Sequence, residues 1–552
     1  MGCLFPKANS LRAYWANIKN AVDAISEVPA SHWRPEDYFD ADPKRSDFTY
    51  GRRGGFLDPI DFDPLEFGMP PATLEATDTS QLLGMLAADR ALRDAGYGPD
   101  STFDRDRVSV ILGVTGALEL VIPLGARLGH PLWRQALLEA GIDADTVEDA
   151  VQRIGDAYVP WQEASFPGLL GNVVAGRITK HLNLGGTNCV VDAACASSLS
   201  AINLATLELA AGRSDMVITG GVDTFNDIFM YMCFSKTPAL SPSGHAKPFD
   251  VSADGTTLGE GLGILVLKRL SDAERDGDRV YACIRGMGAS SDGKGDAIYA
   301  PSAKGQTKAL RRAYEQAQVA PESIELVEAH GTGTAAGDAA EITALQEVYG
   351  ASPNGAWCAL GSVKSQIGHT KAAAGAAGVI KAALALYHKV LPPTIKVQQP
   401  QAALTRENTP FYVNTDKRPW VRSRHPRRAA VSALGFGGSN FHCVLEEYSA
   451  LKTAPDWNGD IEILAFSAET TEALRQSLLA FPGAAVWDEV QREAQQLRQH
   501  FTPSAKYRLV LVARADQDVS KIMSEAAQAL KERSHESAIP RCGWSLPSGV
   551  HF

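Results

Sequence analysis

Cys195 lies in the stretch NCVVDAACASSLSAINLAT, residues 188–206, whose pattern suits a nucleophile. Residues 189–191 are apolar and read as a buried strand. Leu199, Ile202, Ala205 and Leu209 then recur at helical spacing, so Cys195 falls at a strand–turn–helix junction. A helix N-terminus offers unpaired N–H groups and a partial positive charge, which favour a thiolate and lower its pKa. The small neighbours Ala193, Ala194, Ala196 and Ser197 leave room for a substrate. Taken alone, the stretch fits a buried structural cysteine better, since most free cysteines pack as small hydrophobes.

Two histidines shift that balance. Residues 324–328 read as a strand, and AHGTGTAAGD behind it puts His330 in a Gly/Thr loop. Loops beyond strand ends are where α/β proteins place chemistry. In LGSVKSQIGHTKAAAGAAGVIKAAL, His369 precedes an Ala/Gly-rich helix. A third segment, residues 428–447, has two apolar strands flanking the turn Gly435-Phe436-Gly437-Gly438. Such a turn is either a plain flexible hairpin or a loop whose N–H groups stabilise an oxyanion. The glycines at 259, 261 and 263 suggest a nucleotide loop, but a strand follows them where a dinucleotide fingerprint requires a helix.

The elements that carry these residues alternate. Short apolar runs at 108–114, 216–220, 263–267 and 324–328 are separated by helical patterns, which predicts layered sheets and helices of an α/β protein. Residues 372–391 are interrupted by Lys381 and His388 and read as a buried helix, too broken for a bilayer span. Composition changes near Glu447. Beyond it, residues 460–466 and 507–513 read as strands, 470–480 and 519–531 as helices, and 542–552 as an irregular tail. Two domains are expected, 1–447 and a small α/β appendage, 448–552.

The 552 residues carry a formal net charge of −11, which argues against nucleic acid as a partner. A local basic run at 422–428 reads as a solvated loop. The eight cysteines are scattered without a CxxC pair, so neither a metal site nor a disulfide framework is expected, and the reducing cytoplasm fits them. The N-terminus lacks the pattern of a secretion signal.

Together, DAACASS around Cys195, EAHGTGT around His330, KSQIGH ending in His369 and the GFGGSN turn resemble the β-ketoacyl synthases of polyketide and fatty-acid synthases, over residues 1–447. Residues 448–552 resemble the linker domain that precedes an acyltransferase in such synthases. The segments at 52–71, 118–163, 158–178 and 229–242 are most similar to the iterative synthases of polyunsaturated fatty acids and heterocyst glycolipids, and enediyne synthases share part of them. The resemblance implies the thiolase fold, with two similar halves in five layers, and a homodimer. It implies no bound cofactor. Phosphopantetheine arrives on an acyl carrier protein, and an acyltransferase is expected downstream.

The implied reaction is decarboxylative condensation. Cys195 takes an acyl group, and malonyl carrier protein loses CO2 to give the attacking carbanion. By resemblance, His330 and His369 stabilise the enolate, and the N–H groups of Cys195 and Phe436 hold the oxyanion. Lys364 either takes part directly or orients the histidine loop, and Thr332 and Thr334 either bind pantetheine or cap their loop. Phe436, between Gly435 and Gly437, gates the pocket or packs, and Asp250 and Asp254 belong to a second gating loop or cap turns. The rival is a non-condensing homologue, a chain-length factor or gatekeeper, which usually lacks one of the three residues kept here. A decarboxylase-only variant would carry Gln at 195, a starter synthase Asn at 369, and a thiolase a second cysteine. Two departures stand out. The chain opens at MGCLFPKA where relatives have a preceding apolar strand, which leaves a core sheet position open. Ala433 and Leu434 replace the usual Ser-Phe, which alters the pocket wall.

Overall fold

The computed structural model describes residues 1–99, 101–116, 118–294, 297–449, 461–481, 487–532 and 550–551. Two compact units divide between residues 450 and 451.

The larger unit is built on two sheets. In the first, the strand order is Gly2–Leu4, Gly261–Lys268, Met216–Asp223, Val108–Gly113, Asn188–Val191. In the second it is Cys283–Ser291, Ser439–Glu446, Arg428–Gly435, Leu326–Glu328, Cys358–Gly361, Phe411–Val413. Read in this direction, both begin with two antiparallel pairings and continue parallel. The two halves therefore repeat one plan.

Central strands such as Val108–Gly113 are buried throughout, as a parallel strand covered on both faces must be. Helix Ala374–His388 packs on Gly261–Lys268 of one sheet and on Arg428–Gly435 of the other. Its small residues allow this, because a Cβ at Gly378 would come within 2.9 Å of Val431 on the second sheet. Helix Ser197–Ala210 lies in the same central layer. Outside the first sheet lies helix Thr79–Asp94 with Asn172–Leu182, and outside the second lie Ala303–Ala317 and Ala335–Tyr349. These are the five layers of the thiolase fold.

The core sheet position left open by the sequence is filled, by a strand at the edge of the first sheet. Gly2–Leu4 pairs antiparallel with Leu262–Ile264, at Gly2↔Ile264 and Leu4↔Leu262, and its three residues are buried. Gly259 ends a short strand and residues 261–263 already lie within the strand Gly261–Lys268, so no nucleotide loop forms. Among the described residues, no helix is long and apolar enough to cross a membrane.

The smaller unit pairs Ile461–Ala468 with Tyr507–Arg514, and Val550–His551 adds to the latter. Helices Thr471–Leu479 and Val519–Glu532 occupy the expected segments. A third helix, Trp487–His500, was not anticipated. Its apolar residues Val490, Ala494 and Leu497 have helical spacing, but the dense Gln, Arg and Glu between them hide it. Of the tail at 542–552, only 550–551 lies within the described residues, and these form a strand.

Candidate active site

Both sheets send their parallel strands toward one region. Asn188–Val191 leads to Cys195, Leu326–Glu328 to His330, and Cys358–Gly361 to Lys364 and His369. The hairpin of Arg428–Gly435 and Ser439–Glu446 brings Phe436 to the same place. Cys195, His330, His369, Thr332, Thr334, Leu434, Gly435 and Phe436 line one cavity of about 420 Å³. The two imidazole rings lie 5.3 Å apart at 85° to each other.

Cys195 is held in a tight turn. Ala194 before it has a left-handed φ of 49°, rare for a residue with a Cβ. Asp192 holds this turn by accepting the N–H groups of Ala194 and Gly116, each at 2.9 Å. Gly435 closes on the turn so nearly that a Cβ there would stand 2.1 Å from the Ala193 carbonyl oxygen. That approach carries the Phe436 N–H to the cysteine sulfur. The phenyl ring of Phe436 stacks on Phe234 at 6.2 Å and is about half exposed, 48%.

The expected lowering of the cysteine pKa does not appear. Burial pushes the Cys195 thiol up to about 11, against the pull of Lys364, Lys371 and the Phe436 N–H. A helix N-terminus contributes at most about 2 kcal/mol, so the thiol is the resting form at neutral pH.

Both histidines are buried and held well below their usual pKa by burial and by the nearby Lys364 ammonium, so both are neutral. Backbone donors choose the tautomer. Leu434 N–H donates to His330 Nδ1 at 3.3 Å, and Lys371 N–H donates to His369 Nδ1 at 3.2 Å. Each ring therefore carries its proton on Nε2, as a hydrogen-bond donor. Leu434, noted in the sequence as a departure, thus serves through its backbone as well as lining the cavity.

Several positioning groups were not singled out from the sequence. Glu341 accepts the N–H groups of His330 and Gly331 at 2.7 and 2.8 Å. Asp338, one turn earlier, accepts from Gly333 and Phe249. The spacing of Asp338 and Glu341 on one face of helix Ala335–Tyr349, just after the Gly/Thr loop, was the available signal. Glu328 accepts the Val363 N–H at 2.6 Å and pairs with the buried Lys381 at 2.6 Å. Lys364 is buried within electrostatic reach of Glu328, Glu341, Asp338 and Cys195, and burial lowers its pKa.

The remaining expected residues divide. Thr332 and Thr334 line the cavity and bond to each other at 3.0 Å. Asp250 and Asp254 are absent from the lining. Asp250 is buried and accepts from Ser252, Gln398 and Gln399, and Asp254 accepts from Ser241 and Ser243. Both carboxylates are engaged in bracing turns. Among the described residues, no group of three or more His, Cys, Asp and Glu could hold a metal ion.

The sequence matches three families: the Beta-ketoacyl synthase N-terminal domain over residues 1–273, its C-terminal domain over 281–398, and the Ketoacyl-synthetase C-terminal extension over 400–512. A polyunsaturated fatty acid synthase polypeptide of Thraustochytrium is 39% identical along the whole chain, which spans 20% of that relative's length. Polyketide synthase PksL of Bacillus subtilis is 38% identical over 81% of this chain and 9% of its own length. Among solved structures, the module 6 ketosynthase of the bacillaene synthase from Bacillus subtilis superposes with a TM-score of 0.69 at 33% identity, covering 97% of this chain and 85% of that one. With its five layers and this cavity, the chain belongs to the β-ketoacyl synthase family, the acyl-transferring condensing enzymes of polyketide and polyunsaturated fatty acid synthases.

Proposed function

We propose that the chain catalyses decarboxylative Claisen condensation between an acyl group on Cys195 and malonyl-acyl carrier protein, in the synthesis of a long-chain lipid or polyketide. The observation that carries this is the meeting of a cysteine and two neutral, Nε2-protonated histidines in one cavity. In the first stage the Cys195 sulfur attacks a pantetheine thioester, the pantetheine thiol leaves with the proton, and the acyl group stays on sulfur. The Phe436 N–H beside the sulfur is suited to the oxyanion of that step. In the second stage malonyl carrier protein loses CO2, and the enolate oxygen is held by the two Nε2–H donors. Its carbon then bonds to the acyl carbon, the carbon–sulfur bond breaks, and the cysteine thiol is re-formed by taking up a proton.

Neutral donors suit this task because the enolate charge arises where water is excluded. Thr332 and Thr334 offer hydroxyls for the pantetheine amides, and Phe436, stacked on Phe234, is placed to gate the acyl entrance. Lys364 is assigned to orienting the histidine loops, given its three surrounding carboxyl groups. Identity along the whole chain to a polyunsaturated fatty acid synthase favours a lipid substrate. A homodimer is favoured by the edge strand Asn188–Val191, which among the described residues pairs on one side only, and by the exposed Leu207 and Phe229. The test is intact-protein mass spectrometry after incubation with an acyl-pantetheine. One acyl adduct is expected, absent from Cys195→Ala. An adduct that survives the substitution overturns the assignment.

A further inference from the structure

Lys371 stands two residues beyond His369 and is one of the few residues with a side chain in the left-handed region, at φ 44°. That conformation is costly for any residue with a Cβ. Thr370, at ψ 24°, folds the chain so that the Lys371 N–H meets His369 Nδ1 at 3.2 Å, and the left-handed φ of Lys371 turns the chain from that contact into the helical layer that follows. The side chain is 3% exposed, and its ammonium is anchored at three points. It pairs with Asp223 Oδ1 at 3.0 Å and donates to Asn226 Oδ1 at 3.0 Å and to the Gly259 carbonyl at 2.9 Å. The second oxygen of Asp223 accepts the N–H of Ala372 at 3.2 Å, so one carboxylate grips both the side chain and the backbone that follows. Asp223 ends a strand of the first sheet, whereas His369 and Lys371 follow a strand of the second. The clamp thus joins the two halves beside the reacting atoms.

We propose that Lys371 is a positioning residue for decarboxylation: its buried ammonium, held by Asp223, Asn226 and Gly259, fixes the strained backbone that puts the His369 proton on Nε2. This rests on the condensing reading above. A lysine in this place does more than fill a buried ion pair. Without the three anchors, the loop is free to relax toward ordinary φ values, the Nδ1 acceptor loses its donor, and the ring can take the other tautomer or rotate. The donor meant for the enolate is then misdirected, while the sulfur of Cys195 keeps its own turn.

The test uses Lys371→Met combined with Asp223→Asn, so that no charge is left buried without a partner and the opposing pulls of Lys371 and Asp223 on the Cys195 thiol are removed together. Two partial reactions are followed in the full chain: acylation of Cys195 by acyl-pantetheine, and CO2 release from malonyl-pantetheine. The expected result is a decarboxylation kcat reduced about tenfold or more relative to acylation, with KM for malonyl-pantetheine within about twofold of the parent. Decarboxylation within twofold of the parent, or an equal fall in both reactions, overturns the proposal. Should the double variant not fold, Asn226→Ala removes one anchor without touching charge, and a selective loss of about threefold is expected against none. A parent chain that releases no CO2 sinks the condensing reading and this proposal together. A parent that does so, beside an unimpaired variant, sinks this proposal alone.

Discussion

A thiol that burial holds up near 11 keeps its proton at physiological pH, and the thiolate share then grows with pH. Alkylation of Cys195 by iodoacetamide, followed by peptide mass mapping, should therefore quicken roughly tenfold per pH unit between about pH 7 and 9. A plateau already reached at neutral pH would mean a thiolate stabilised beyond what Lys364, Lys371 and the Phe436 N–H supply. The two histidines behave differently, because burial and Lys364 keep them neutral well below the usual imidazole range. CO2 release should hence show no histidine titration between about pH 6 and 8. Replacing either donor, His330→Ala or His369→Ala, should lower CO2 release by roughly 10²–10³ while acylation persists. A variant with unchanged CO2 release removes that histidine from the enolate.

The turn at Gly435 couples the hairpin to the Cys195 turn, and its closeness to Ala193 leaves no room for a methyl group. Gly435→Ala should push the Phe436 N–H from the sulfur and slow acylation by about tenfold or more, at a stability cost of about 1–3 kcal/mol. Acylation at the parent rate, beside an unchanged melting temperature, would show that the approach is dispensable. Strand ends and loop types around Cys195, His330 and His369 were legible because strand, Gly/Thr loop and helix follow each other in short order along the chain. Their convergence was not. It depends on a pairing of Leu326–Glu328 with both Cys358–Gly361, about thirty residues on, and Arg428–Gly435, about a hundred residues on, which no local period reveals. The bracing carboxylates of Glu328, Asp338 and Glu341 were hidden for a related reason. A buried acid and a solvated one look alike until their N–H and ammonium partners are placed.

The repeated sheet plan explains why the groups lining the cavity come from both halves of the larger unit. Each half offers the loops beyond its parallel strands, and packing the two sheets on a shared helical layer turns those loops toward one cavity. The smaller unit has its own core, of Leu464, Phe466, Leu509, Leu511 and their neighbours, as a separately compact body requires. Sequence periodicity showed the layers and the appendage, and it missed the polar helix Trp487–His500, whose narrow apolar face is diluted by charge. The most direct measurement is carbon–carbon bond formation itself, read as the mass of the acyl chain on a carrier protein after the chain is supplied with an acyl-pantetheine and malonyl carrier protein. A β-ketoacyl carrier two carbons longer than the starting acyl group should appear with the parent chain and be absent with Cys195→Ala. The same product formed without Cys195, or an acylated Cys195 that never yields product, would contradict the account.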